Sequence, residues 1–148
     1  YLCVHELSAA SAIQVVTLRE FANTTCSRLE LEALVWGMGE VFHRVDATKV
    51  KPAILVYSDC KSAMDLLGRR QRLERDQYMS KRSGNRLRQA DLYVQFFALC
   101  DRLQPQLNWV KGHVAAVSAN GVGAMFKRVD QETRAELRRR ITAACLCP

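Results

Sequence analysis

The run Ile54-Leu55-Val56-Tyr57 is short, almost wholly apolar, and leads straight into Ser58-Asp59-Cys60 and a helix-forming stretch. A run of that length between turn signals predicts a strand buried on both faces, as in a parallel or mixed α/β sheet. Asp59 then stands at the carboxyl end of the strand, where open α/β sheets place their chemistry. The plainer alternative is that Ser58 or Asp59 caps the helix beginning near Lys61.

The apolar spacing changes along the rest of the chain. Tyr1–Leu7 and Ala12–Leu18 are β-branched stretches separated by Ser8-Ala9-Ala10-Ser11, which predicts an antiparallel hairpin. From about Arg28 to Val45 the pattern becomes helical, with Leu31, Leu34, Val35, Met38, Val41, Phe42 and Val45 on one face. Asn23-Thr24-Thr25-Cys26-Ser27 supplies N-cap candidates before it. Glu32, Glu40 and His43 fall on the opposite side. Glu30 falls at the edge of the apolar face, where a carboxylate needs a partner. Arg28 or another surface base is the simple choice. Lys61 to about Arg75 continues as a helix, with Ala63, Met64, Leu66 and Leu67 partly buried. A turn-prone segment, Gln77 to Arg86, leads to a helix from about Leu87 to Leu103 carrying Leu92, Phe96, Leu99 and Leu103. Pro105 ends it, and Leu107–Lys111 reads as a short strand running into Gly112-His113. The small residues from Val114 to Met125 predict a loop. A last helix runs from about Val129 to Ala144, opened by Asp130. One domain of α/β class is expected from a chain of 148 residues.

Composition adds a charge and a redox setting. Hydrophobic residues make up 49% and charged residues 25%, ordinary values for a globular chain. No run is long enough to span a membrane and no signal peptide is visible, although a chain that opens on Tyr1 is expected to be a processed or partial product. The net charge of +7 points to a polyanionic partner. Much of it is concentrated in Arg69, Arg70, Arg72, Arg75, Lys81, Arg82, Arg86 and Arg88, opposed locally by Glu74 and Asp76 alone. Such a segment is either a solvated face or a contact for phosphates. The six cysteines lie among apolar neighbours without a paired framework, which fits buried thiols in a reducing, intracellular compartment. With no Cys-x-x-Cys, a zinc site is not expected.

Three local motifs, in this order, resemble the type 1 ribonuclease H family. Thr24-Thr25-Cys26-Ser27-Arg28-Leu29-Glu30-Leu31 is similar to the segment opening the family's first helix, and Tyr57-Ser58-Asp59-Cys60 to the end of its fourth strand. Trp109-Val110-Lys111-Gly112-His113 is similar to its fifth strand and the loop histidine beyond. Asn85 to Tyr93 also looks like the start of its fourth helix. The resemblance covers about Ile13 to His113. It implies a mixed five-stranded sheet flanked by helices, and hydrolysis of the RNA strand of RNA–DNA hybrids. It implies Mg²⁺ as the metal, with Mn²⁺ as a substitute, because clustered carboxylates supply the hard oxygen donors that a two-metal mechanism needs. Glu30, Asp59 and Asp130 would be the ligands carried by this chain. His113 would assist proton transfer or product release. Lys61, Arg69, Arg70, Arg72, Lys81, Arg82, Arg86, Arg88 and Lys111 would meet nucleic-acid phosphates.

The departures are specific. The family's first carboxylate sits in an Asp-Gly context on its first strand, whereas this chain has no Asp before Asp46 and no Asp-Gly. Tyr1 aligns near the family's second strand, so the first strand is expected from an upstream segment or a partner chain. Asp130 lies 17 residues beyond His113, farther than in the family. Cys26-Ser27 stands where the family usually has an Asn pair, and Lys61 where a Gln is common. The expectation is therefore a metal-dependent ribonuclease H-type nuclease. The alternative is a non-catalytic RNA-binding or structural component of a large ribonucleoprotein assembly.

Overall fold

The computed structural model describes residues 2–4, 13–15, 24–46, 52–111 and 121–145. The protein is mixed α/β and mostly helical. Its chain divides into two compact units, one of Tyr1–Glu20 with His113–Pro148, the other Phe21–Gly112. Among the described residues no helix is long and apolar enough to cross a membrane.

The first unit contains strands β1 (Leu2–Val4) and β2 (Ile13–Val15), and the helix α5 (Gly121–Cys145). The strands pair antiparallel, with Cys3 opposite Gln14, as the predicted hairpin requires. Its turn lies outside the described residues. The helix corrects the expected loop over 114–125, at least from Gly121 onward. Val122, Met125, Phe126 and Val129 recur at helical spacing and are half-buried, which outweighs the low helix propensity of Gly121 and Gly123. Asp130 therefore does not open this helix; it lies well inside it.

The second unit holds α1 (Cys26–Asp46), β3 (Leu55–Ser58), α2 (Lys61–Met64), α3 (Leu66–Arg75), α4 (Ala90–Leu103) and β4 (Gln106–Trp109). The expected single helix from Lys61 to Arg75 is broken at Asp65, a residue whose carboxylate competes for backbone donors and weakens a helix interior. Strands β3 and β4 are parallel, pairing Leu55 with Gln106 through to Ser58 with Trp109. Among the described residues the named strands form these two two-stranded sheets, not the five-stranded sheet that the resemblance implied.

The core of this unit lies between α1 and α4. Leu31, Val35 and Met38 of α1 meet Leu92, Phe96, Phe97, Cys100 and Leu103 of α4, with Ala63, Leu66 and Leu73 from α2 and α3 completing the cluster. Phe96 and Phe97 are both fully enclosed and pack edge to face, 5.8 Å between centroids. Consecutive buried positions are possible because α4 is covered on two sides, by α1 and by α3. Arg70 of α3 seals the second side. Its guanidinium lies 5.1 Å over the Phe97 ring and binds both Glu74 and Asp101, at 2.7 and 2.9 Å.

Two ends of α4 are fixed by backbone geometry. Leu87 N–H bonds the Tyr78 carbonyl, and Met79 bridges Arg86, so the basic segment folds back as a tight turn before the helix. Gln104 closes α4 in the left-handed region at φ 49°, donating its N–H to the Cys100 carbonyl at 2.8 Å. That conformation favours glycine. Pro105 then prevents continuation.

Phe96→Ala should lower the unfolding free energy by about 3–5 kcal/mol, the range for emptying an aromatic core position, whereas the exposed Val94→Ala should change it by less than about 1 kcal/mol. Urea denaturation of the two variants measures the contrast; equal losses would place the core elsewhere.

Candidate functional site

The carboxyl edge of β3 and β4 is where the second unit gathers its chemistry. Ser58 ends β3, and its Oγ accepts the Cys60 N–H at 3.1 Å. Helix α2 begins at Lys61 with no side-chain cap, so Asp59 is not the helix cap that the sequence allowed. Its carboxylate is exposed instead, and its backbone carbonyl accepts the Trp109 indole N–H at 3.2 Å from the end of β4. That bond links the two strand ends directly.

Glu30 comes to the same edge from α1. It is near enough to the Cys60 thiol, on the residue next to Asp59, to act on its ionisation. The thiol is pushed above its usual range, first by burial and then by the nearby Glu30 negative charge, while a contact to Ser62 Oγ at 3.2 Å works the other way. Arg28, the simple partner expected for Glu30, is engaged elsewhere. It binds Glu32 at 2.8 Å, Asp91 at 2.7 Å and the Arg88 carbonyl at 2.8 Å, which joins α1 to the start of α4. The Asp91 carboxylate, and after it Glu32, raise the Arg28 pKa against a smaller opposing effect of burial, and the same contact holds the Asp91 carboxyl below its ordinary range. Glu32, expected to point away, is consequently drawn in and left with Oε2 buried and without a hydrogen-bond partner.

A cleft of about 290 Å³ opens beside this junction. Leu31, Ala63, Leu66 and Leu87 form an apolar floor, and Ser27, Ser62, Arg69, Arg88, Gln89 and Tyr93 supply polar groups. Gln89 is fixed from both sides, donating to Ser27 Oγ at 3.5 Å and accepting from Tyr93 Oη at 3.3 Å. Two guanidinium-bearing residues on an apolar floor, with hydroxyls and an amide, suit a phosphate joined to a less polar group.

The other expected contacts are distributed unevenly. Lys61 stands over the Trp109 ring at 5.9 Å. Arg70 is committed to Asp101, Glu74 and Phe97, and Lys81 pairs with Asp76 at 3.5 Å. Arg72, Arg82, Arg86 and Lys111 are exposed. Asp130 lies in the first unit, more than half exposed, and binds Arg134 one turn on at 2.9 Å. His113 falls outside the described residues. Among those residues no three His, Cys, Asp or Glu side chains cluster as a metal-binding group. Gln89 and Tyr93 were not expected at the site, because only the packing of α1 against α4 brings their segment to Ser27; Ser62, also not expected, joins them from α2.

Comparison with models of known protein families gave no match to this chain, and comparison with curated proteins gave none either.

Thiol reactivity should follow these environments. Cys26 is exposed, whereas Cys60 and Cys100 are buried, and burial pushes Cys100 up to about 11. Peptide mapping after brief iodoacetamide treatment at pH 8 should find Cys26 alkylated well before the other two. A folded pKa above the unfolded one means that the Cys100 contribution is fully present below the unfolded value near 9.0. It is lost as pH rises towards 11. Equal labelling of the three would contradict this burial.

Proposed function

We propose that this protein is a ribonuclease H-type module that binds RNA–DNA hybrid and hydrolyses its RNA strand with divalent metal ions. The observation that carries the reading is the approach of Glu30, from α1, to the end of β3 beside Asp59. A carboxylate from α1 thus comes near the strand end that carries Asp59, and the cleft is lined from α1, α2, α3 and the start of α4. The motif order of the sequence supports it independently.

The donor set fits Mg²⁺ in kind. Glu30 and Asp59 offer hard, exposed carboxylate oxygens, and Mg²⁺ takes one or two such ligands while keeping positions for water and phosphate oxygens. When bound there, the metal would supply Lewis acidity toward the phosphate and an activated water. The protein's own part is positioning and charge. Arg69 and Arg88 would neutralise phosphates next to the cleft, and Arg72, Arg82, Arg86 and Lys111 would extend that field along the strand. Arg70 and Lys81 contribute less, since each already serves an internal ion pair. His113 keeps the proton-handling role implied by the resemblance. Asp130 is left out, because Arg134 engages its carboxylate.

The exposed Arg72, Arg82, Arg86 and Lys111 favour a second reading, a non-catalytic RNA-binding or structural component of a ribonucleoprotein assembly. In it Glu30 and Asp59 are remnants and the basic surface is the functional part.

The test is a hybrid-cleavage assay on the full-length gene product in Mg²⁺ and Mn²⁺. Cleavage of the RNA strand is expected, and Asp59→Asn or Glu30→Gln should slow it at least about a hundredfold with hybrid binding retained. Arg69→Gln with Arg88→Gln should weaken binding and flatten its salt dependence by about one unit of slope each. Salt-dependent binding without cleavage in either metal supports the second reading; no binding to hybrid or RNA removes both.

A further inference from the structure

We propose that Trp109 is a stacking platform for an unpaired nucleobase at the carboxyl edge of β3 and β4. The inference rests on the polynucleotide binding proposed above and adds a contact to the bases rather than to the phosphates. Three observations lead to it. Trp109 is the last residue of β4 and is 51% exposed, an unusual position for the largest apolar side chain. Its indole is nevertheless held in place, because Nε1 donates to the Asp59 carbonyl at 3.2 Å. Lys61 lies against the ring, with Nζ 5.9 Å from the centroid.

Each feature serves stacking. A ring already fixed by a hydrogen bond loses little conformational freedom when a base settles on it. The indole N–H, the group that would otherwise require water, is satisfied within the protein, so the exposed half of the residue asks a ligand for no hydrogen bond. The ammonium over one face of the ring provides a cation for the phosphate attached to a base stacked on the other. Lys111, two residues on, is exposed and adds a second charge. A site that read phosphates alone would need the lysines and would gain nothing from a half-exposed indole. The ligand is therefore a base with its phosphate, in a strand whose bases are free to leave a duplex stack.

The experiment compares two fluorescein-labelled 12-mer oligodeoxynucleotides of equal charge by anisotropy with the full chain. One carries bases and the other is abasic through its centre. The wild-type protein should bind the base-bearing strand about tenfold more tightly, in line with the stacking of one base. Trp109→Leu should lose that preference while still binding the abasic strand, and Trp109→Phe, which keeps a π face, should restore most of it. Lys61→Gln should weaken both strands alike. Equal affinity of the wild type for the two strands overturns the platform and leaves phosphate binding intact. An unchanged preference in Trp109→Leu, with its fold confirmed by circular dichroism, overturns it as well. Failure of both strands to bind removes the platform together with the polynucleotide reading beneath it.

Discussion

The Arg28 guanidinium is the junction on which the second unit's geometry depends. One side chain reaches Glu32 within α1, the Asp91 carboxylate at the start of α4, and the Arg88 carbonyl just before it. Its planar fork can serve these acceptors at once, which a lysine ammonium cannot do with the same directional precision. The apolar seam of α1 and α4 provides the larger share of stability, but seams of this kind tolerate sliding. A charge bound at both ends fixes the longitudinal position of one helix on the other. With that position set, Glu30 meets the end of β3 and Ser27 meets Gln89. The buried, unpartnered Glu32 oxygen is a cost of the same arrangement.

Much of this unit was legible in the residues because its signals are local. The α1 face, the α4 stripe and the stop at Pro105 each depend on spacing or on one special residue. The apolar run of β3 is a strand as expected but is not buried on both faces, since Leu55 is exposed and Val56 to Ser58 are half-buried. Phe97 lies off the α4 stripe, and only a second covering helix buries that face. The expected burial of the thiols holds for Cys60 and Cys100 but not for the exposed Cys26. The break at Asp65 and the early start of α5 at Gly121 show the two directions in which packing overrides propensity. Polar partners were harder. Arg28 with Asp91, and Gln89 with Ser27, join residues far apart in sequence, and no periodicity encodes such pairs.

Charge was similarly overcounted in the sequence. The dense run from Arg69 to Arg88 reads as one basic field, yet three of its members are engaged in ion pairs within the chain. Arg70 closes the aromatic core, and Arg75 and Lys81 share Asp76. Among the described residues, Arg72, Arg82 and Arg86 make no such pair, and Arg69 and Arg88 border the cleft. The field offered to a partner is thus smaller and more directed than the net charge suggests.

The parallel ladder carries a further consequence, for folding. Its partners are about fifty residues apart, and closing a loop of that length costs on the order of 3–4 kcal/mol in chain entropy before any contact repays it. Four residues on each strand cannot meet that cost alone. The helices between them must already be packed, so the edge bearing Asp59, Cys60 and Trp109 assembles late and borrows its persistence from the Phe96 region. A substitution deep in that core, touching none of these residues, would loosen the edge before the chain as a whole unfolds.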